Sequence, residues 1–416
     1  MQMHISPPFE DPSILNDNDA FLAKKLWRKL KPEQWPFAFA DFPEGSVLVG
    51  GAIRDALLAH TTNRLDFDLV VPSQAIVLAK RLSKKFNGKL IVLDEKRDIA
   101  RLIFHGLTFD IASQIGSDIS EDLRRRDFTV NAIALSICKA PKILDPTGGI
   151  KDLNKKRLVA ICEKNFLDDP LRLLRGFRLM AELDLFLDDQ TKTFINIHAN
   201  LLPSVAPERI QSEIKCLVRG RNAERAISFV QQSKILQPWA NKNEISCNKF
   251  HSLEEVKSLQ IDKPVDILEI SRLTYLLSDY GMAELKFSRK YSRRCSLLRR
   301  WQKVIINYGL SSLSEFDRVK LHQDLELDLP ALILNLPLED QSIWIKRWKN
   351  KNDPLFHPSS PLTGHTLKES LGLKDGPELG SIIRDLCIER AFGRLQNSDE
   401  ALEMVRKWLV DKKTFL

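Results

Sequence analysis

The stretch VLVGGAIRDALLAHTTNRLDFDLVV, residues 47–71, runs from an apolar segment through two adjacent glycines and Arg54-Asp55 to Asp66-Phe67-Asp68. Alternation in LDFDLVV puts Leu65, Phe67 and Leu69 on one face of a strand and Asp66 and Asp68 on the other, so the apolar set can face a core while both carboxylates face a cleft. Gly50 and Gly51 end the first apolar run and open a helix, where backbone N–H groups at the N-terminus suit phosphate oxygens. Arg54 and Asp55 then fall in the first helical turns. Asp110, within LTFDIASQ (107–114), has the same apolar-flanked setting and is expected to join the pair from a neighbouring strand. Three clustered carboxylates repel one another unless cations sit between them, and hard oxygen ligands favour Mg²⁺. Alone, D-x-D reads more readily as solvated edge-strand acids; the glycines and the third acid turn the reading toward two-metal phosphoryl transfer.

The chain has 416 residues, beyond the size at which a single core keeps growing, so several domains are expected. Its 43% hydrophobic and 28% charged residues are those of a globular protein. No apolar run approaches the roughly 18 residues a membrane span needs, and MQMHISPPFEDP lacks a signal-peptide layout; a cytoplasmic location and no membrane partner are expected. The six cysteines, at 138, 162, 216, 247, 295 and 387, are scattered without a C-x-x-C pair, so neither a zinc site nor a disulfide framework is indicated. A net charge of +8 and a pI near 9.0 suit a polyanionic partner, and suit a merely basic surface as well.

Short β-branched runs (SVLVGG, LDFDLVV, KLIVLD, ARLIFHG, LTFDIAS) alternate with helical stretches over residues 45–140. From about Pro170 onward nearly every segment reads as amphipathic helix, as at 170–184, 207–219 and 381–393. The expected architecture is an α+β head, a small mixed sheet with helices, followed by an all-α neck, body and tail. The corresponding boundaries are an extension at 1–19, a catalytic head at 20–157 beginning with a helix near Ala20–Leu30, a neck at 158–230, a body at 231–340 and a tail at 341–416.

GGAIRD (50–55), DFDLVV (66–71), EDLRRRDFTVNAIA (121–134), DPTGGIKDLNKKRL (145–158), DDPLRLLRGFR (168–178) and PERIQSE (207–213) follow one another in an order that resembles the motif series of class II tRNA nucleotidyltransferases, in the polymerase β nucleotidyltransferase superfamily. The tail segment PLTGHTLKESLGLKDGPELGSIIRDL is similar to that family's C-terminal region. The resemblance implies a nucleotidyltransferase fold, a two-metal Mg²⁺ site on Asp66 and Asp68, CTP and ATP as nucleotides and tRNA as acceptor. It further implies that Arg125 and Arg126 reach the triphosphate and that Asp127 and Asn131 bond the ribose hydroxyls.

Base choice follows from hydrogen-bond chemistry. Asp169 and Arg172, three apart on a predicted helix, are expected to be neighbours. Arg only donates and an ionised Asp only accepts. Cytosine presents its N4 donor beside the N3 acceptor and adenine its N6 donor beside N1, while uracil and guanine reverse the order, so the pair suits C and A. Arg175 and Arg178 continue the helix and are expected to bind nucleotide with them. The family usually has Glu where this chain has Asp168. Glu208, Arg209 and Glu213 read as structural, and KFSRKYSRRCSLLRRWQK (286–303), with eight basic residues, reads equally as an RNA-backbone track or a solvated helix face.

The segment between Asp110 and Asp122, IASQIGSDISE, is eleven residues long. Relatives that build a whole CCA end usually carry a longer flexible loop there, so this length favours addition of CC. Bacterial poly(A) polymerases share the catalytic motifs but continue RRDFT with an aromatic pair, where this chain has VNAIAL. A non-catalytic RNA-binding protein on the same scaffold would have lost its carboxylates, and both strand aspartates are present.

Overall fold

The computed structural model describes residues 19–58, 66–240 and 250–414; residues 1–18 of the expected extension and Leu65 lie outside them. These residues form two compact units. One comprises the chain up to Ala206 with Phe229–Ile235, the other Pro207–Ser228 and the chain from Leu236.

The first unit is built on a seven-stranded sheet of order β3-β4-β5-β2-β1-β6-β7. Its strands are β1 (Val47–Val49), β2 (Asp66–Val71), β3 (Lys89–Asp94), β4 (Ile99–Phe104), β5 (Leu107–Ser113), β6 (Ala134–Ser136) and β7 (Ile143–Leu144). All five runs expected as strands are strands. Every neighbouring pair is antiparallel except β2 and β5, which run parallel with Phe67 opposite Phe109 and Asp68 opposite Asp110. Packed with the sheet are α1 (Asp19–Leu30), α2 (Gly51–Leu57) and α3 (Ala75–Phe86); then come α4 (Ile119–Arg124), α5 (Gly149–Asn154), α6 (Glu163–Asp168) and α7 (Leu171–Leu183).

One face of the sheet is closed by aromatic packing. Phe67 and Phe109 stack with ring centroids 5.1 Å apart, and Trp35 packs edge-on against them at 4.8 and 5.4 Å. Period-two alternation then leaves the acids of β2 and β5 on the opposite face. Residues 158–168 are sewn to this unit by the antiparallel bridge Phe128↔Ala160 and by the Phe128–Phe166 ring contact at 5.8 Å.

The motif at 145–158 does structural work here. Asp145 caps α5 by accepting from the Gly149 and Ile150 N–H groups at 2.7 and 2.9 Å. A Cβ on Gly149 would lie 2.1 Å from the Thr129 carbonyl oxygen, so only glycine allows this close approach. Asp152 accepts from Thr129 Oγ1 at 2.8 Å and from Arg157, tying the helix to the short 3-10 turn at Thr129–Asn131.

The second unit is helical. Its longer helices are Pro207–Arg219, Pro264–Leu276, Arg289–Tyr308, Glu315–Leu325, Leu338–Lys349, Pro377–Ala391 and Ser398–Thr414. Within it, Arg272 is buried and donates to the carbonyls of Val218 and Gly220, which closes the C-terminal end of helix 207–219. Burial pulls the Arg272 pKa down to about 10. No helix among the described residues is long and apolar enough to cross a membrane.

Candidate active site

Asp66 and Asp68 share one face of β2, with Phe67 buried between them. Atoms packed around Asp68 desolvate its carboxylate and raise its pKa; Asp110 and Asp66 add repulsion, against the charges of Arg126 and Arg175. Asp110 lies beside Asp68 in the parallel register, but its carboxylate is taken by Arg101 on β4. Arg101 Nε and Nη2 donate to its two oxygens at 2.7 and 2.8 Å, and the bond raises the Arg101 pKa. The third acid thus stands beside Asp68 on the neighbouring strand, as expected, with its charge shared by Arg101. Among the described residues no three His, Cys, Asp or Glu side chains form a metal-holding group. Asp66 and Asp68 still suit a hard cation, because they offer carboxylate oxygens from one strand face and Asp68 is desolvated and repelled by its neighbouring acids.

Gly50 precedes α2 with φ 77°, a conformation open to glycine and strained for other residues. A Cβ there would lie 3.1 Å from Asp68 Oδ2 and 3.6 Å from Arg126 Nη1, so the glycine keeps room beside the acid. Its own N–H donates to the Ile133 carbonyl at 3.4 Å and is already engaged, whereas Gly51 opens the helix. Arg126 donates weakly to Asp122 at 3.5 Å, and its buried Nε has no hydrogen-bond partner. Arg125, next to it, is exposed. An arginine beside the acids with a donor to spare is what a phosphate oxygen would complete.

Asp127 and Asn131 are buried and bonded internally. Asp127 accepts from the Phe128 N–H and Asn131 Nδ2 on one oxygen, at 2.8 and 2.9 Å, and from Arg175 Nε on the other at 2.8 Å. Asn131 Oδ1 in turn accepts from Arg54 Nη1 at 2.6 Å, and Arg54 is buried and paired with Asp55. In this conformation their polar atoms brace α2 against α7.

Asp169 is not on a helix with Arg172. It lies between α6 and α7 in extended backbone (φ −147°, ψ 95°), because Pro170 follows it and disfavours the helical region for the residue before. The dipeptide Asp169-Pro170 carried that signal in the sequence. Asp169 Oδ1 accepts from the Leu171 N–H at 3.3 Å, and its charge still reaches the Arg172 guanidinium. Arg172 donates through Nη1 to the carbonyls of Arg125 and Asn165, at 2.8 and 3.0 Å; burial lowers its pKa. Its Nε and Nη2 have no hydrogen-bond partner among the described residues, which leaves one donor edge available. Arg178 is half-buried one turn beyond Arg175, with Glu182 at 3.9 Å.

Asn165 passed unnoticed in the sequence. Its buried Nδ2 donates to the carbonyls of Arg124 and Arg126 at 2.9 and 2.7 Å, so the side chain fixes the arginine run while the main-chain carbonyl of the same residue accepts from Arg172. Asn165→Ala is expected to destabilise the fold by about 1–3 kcal/mol and to raise KM for the nucleotide more than it lowers kcat. Denaturant unfolding and steady-state kinetics check it.

A family model described as the poly A polymerase head domain matches residues 46–115 and 111–159. The chain is 34% identical over 400 residues to the CC-adding tRNA nucleotidyltransferase of Synechocystis sp., covering 89% of this chain and 95% of that one. It belongs to the class II tRNA nucleotidyltransferases. A CC-adding tRNA nucleotidyltransferase of Geobacter sulfurreducens is 40% identical over 172 residues, 41% of this chain and 39% of its own. The fold matches that of the Thermotoga maritima CCA-adding enzyme complexed with tRNA-CCA, with TM-score 0.68 over 96% of both chains at 21% identity. As a tRNA nucleotidyltransferase the chain departs from its motif series at Asp168, which is exposed at the end of α6.

Proposed function

We propose that this chain transfers CMP from CTP to the 3′ hydroxyl of tRNA, releasing pyrophosphate, and stops after CC, acting in the cytoplasm. The observation that carries the reading is the likeness to the Synechocystis CC-adding enzyme, which spans nearly the whole of both chains. The segment after Asp110 supports the stop at CC. Strand β5 continues to Ser113 and Asp118 already caps α4, so the connection is short. It is also tied down: Gln114 N–H donates to the Val71 carbonyl, Ile115 N–H to Asp122 and Ser117 N–H to Glu121, at 2.8, 3.0 and 2.8 Å.

Mg²⁺ bound by Asp66 and Asp68 would supply Lewis-acid activation of the hydroxyl and countercharge for the triphosphate. The chain's own groups do the rest. Arg126, with Arg125 beside it, holds phosphate oxygens; the free edge of Arg172 donates to cytosine N3 while the Asp169 carboxylate accepts from N4. Asp127, Asn131, Arg54 and Arg175 hold these elements in register.

The test supplies tRNA lacking its CCA end with labelled CTP, ATP or both, and sequences the products. CC ends with CTP, unchanged when ATP is added, are expected. A terminal A would replace the CC-only reading with full CCA addition, homopolymeric A would favour poly(A) synthesis, and no incorporation would overturn the transferase reading.

A further inference from the structure

Residues Arg289–Tyr308, RKYSRRCSLLRRWQKVIINY, form the longest helix among the described residues, at 20 residues. The helix carries seven cations, Arg289, Lys290, Arg293, Arg294, Arg299, Arg300 and Lys303, and no Asp or Glu. All of its long neighbours in the same unit are mixed: each of the helices starting at 207, 264, 315, 338, 364, 377 and 398 contains at least one acid.

Two of the seven cations anchor the helix from within. Arg294 grips both oxygens of Asp328 at 2.8 and 2.6 Å, while Arg299 pairs with Asp279 and donates to the Leu277 carbonyl at 2.6 Å. Cys295, Leu298, Trp301 and Gln302 form the buried face, with Trp301 Nε1 bonded to Asp324 at 3.1 Å. The other five cations are exposed, and none makes an ion pair with a described residue. At about 100° per residue, Arg289, Arg293, Arg300 and Lys303 fall within an arc of about 80° opposite the buried face and span about 21 Å along the axis.

Like charges three and four residues apart repel, and a helix face that serves only solubility intersperses acids among its bases. This face has none to neutralise it. It also offers no exposed aromatic ring within the stripe: Trp301 is buried, Tyr291 is covered by Lys215 and Arg294, with their charged groups 4.9 and 5.9 Å from its ring centre, and the exposed Tyr308 lies past the end of the stripe, about 60° outside its arc. Single-stranded RNA is held by base stacking on exposed rings, whereas a duplex presents backbone phosphates.

We propose that this stripe is a docking rail for the phosphate backbone of an RNA duplex, the stem of the tRNA substrate. The proposal rests on the tRNA-directed function above and adds where in the helical unit the stem is held. Recognition is by charge at fixed intervals, without base readout, so removing it changes tRNA affinity and its salt dependence and leaves nucleotide handling alone.

The test compares the full-length R289Q/R293Q/R300Q/K303Q variant with K24Q/K25Q/R28Q/K31Q, which removes the same charge from exposed positions in and just after α1. Glutamine keeps helix propensity, and circular dichroism checks that both fold. Binding of tRNA lacking its CCA end is measured from about 50 to about 200 mM salt. The stripe variant is expected to lose about tenfold or more in affinity and to flatten the slope of log K against log salt by about 3. The α1 variant should keep the wild-type slope, and kcat and the KM for CTP should not change in the stripe variant at saturating tRNA. Equal losses in both variants, or wild-type binding by the stripe variant, would overturn the rail. Wild-type protein that binds tRNA through the stripe yet incorporates no nucleotide would instead overturn the transferase reading and leave the rail standing.

Discussion

Asp68→Asn is expected to lower CMP incorporation by about a thousandfold or more, equivalent to about 4 kcal/mol of transition-state stabilisation, while tRNA binding and the thermal midpoint stay near wild type. Asparagine has the same shape, so Gly50 keeps its close approach to the side chain. What is lost is the charge. In the native protein that charge is desolvated by its surroundings and repelled by Asp110 and Asp66, so its removal relieves the fold while it strips the strand face of the oxygen that a cation needs. Single-turnover incorporation of labelled CTP at saturating tRNA checks the prediction. Activity within tenfold of wild type would rule out a metal-binding role for Asp68.

Asp127→Ala has its largest expected effect on stability, with a loss of about 3–5 kcal/mol. The substitution takes from Arg175 its carboxylate partner and leaves the Asn131 amide without its acceptor, both in the interior of the first unit. The pH dependence follows from the same contacts. Burial alone would push the Asp127 carboxyl up, but the Arg175 charge and the bonds from Asn131, Arg175 and Phe128 outweigh it and hold the pKa at about 2, below the ordinary 3.8. A folded-state pKa below the unfolded one means that the stabilisation is complete above about pH 4 and is lost as pH falls toward 2; its size is about 2 kcal/mol. Asp127→Asn should abolish this acid-side contribution. Guanidinium unfolding of wild type and Asp127→Asn at pH 7 and pH 3 measures it, and an unchanged gap between the two proteins at both pH values would show that the carboxylate is not the titrating group.

The strands were legible because their period is two and their apolar residues are β-branched or aromatic. The same alternation that buries Phe67 fixes where Asp66 and Asp68 point. Asp169 was misplaced because spacing was counted along a helix that Pro170 had already stopped. Arg101 was not legible at all: its role depends on the register between β4 and β5, and no local pattern announces that an arginine on one strand will meet an aspartate on the next. Asp127 and Asn131 show a different limit. The motif resemblance implied ribose contacts for them, and no local pattern announced the buried arginine network that engages their polar atoms.

The parallel seam between β2 and β5 has a consequence for how the head folds. The hairpins β3–β4 and β4–β5 close over short turns, the second across only His105 and Gly106, so they can form from local contacts. The seam cannot, since Asp68 and Asp110 are 42 positions apart and the intervening chain must first become α3, β3 and β4. Loop closure over such a distance costs entropy that is recovered only when the strands meet. The acid face is thus assembled late, and a ligand seated there binds only chains whose central strands have zipped, which makes its occupancy a thermodynamic latch on the whole sheet.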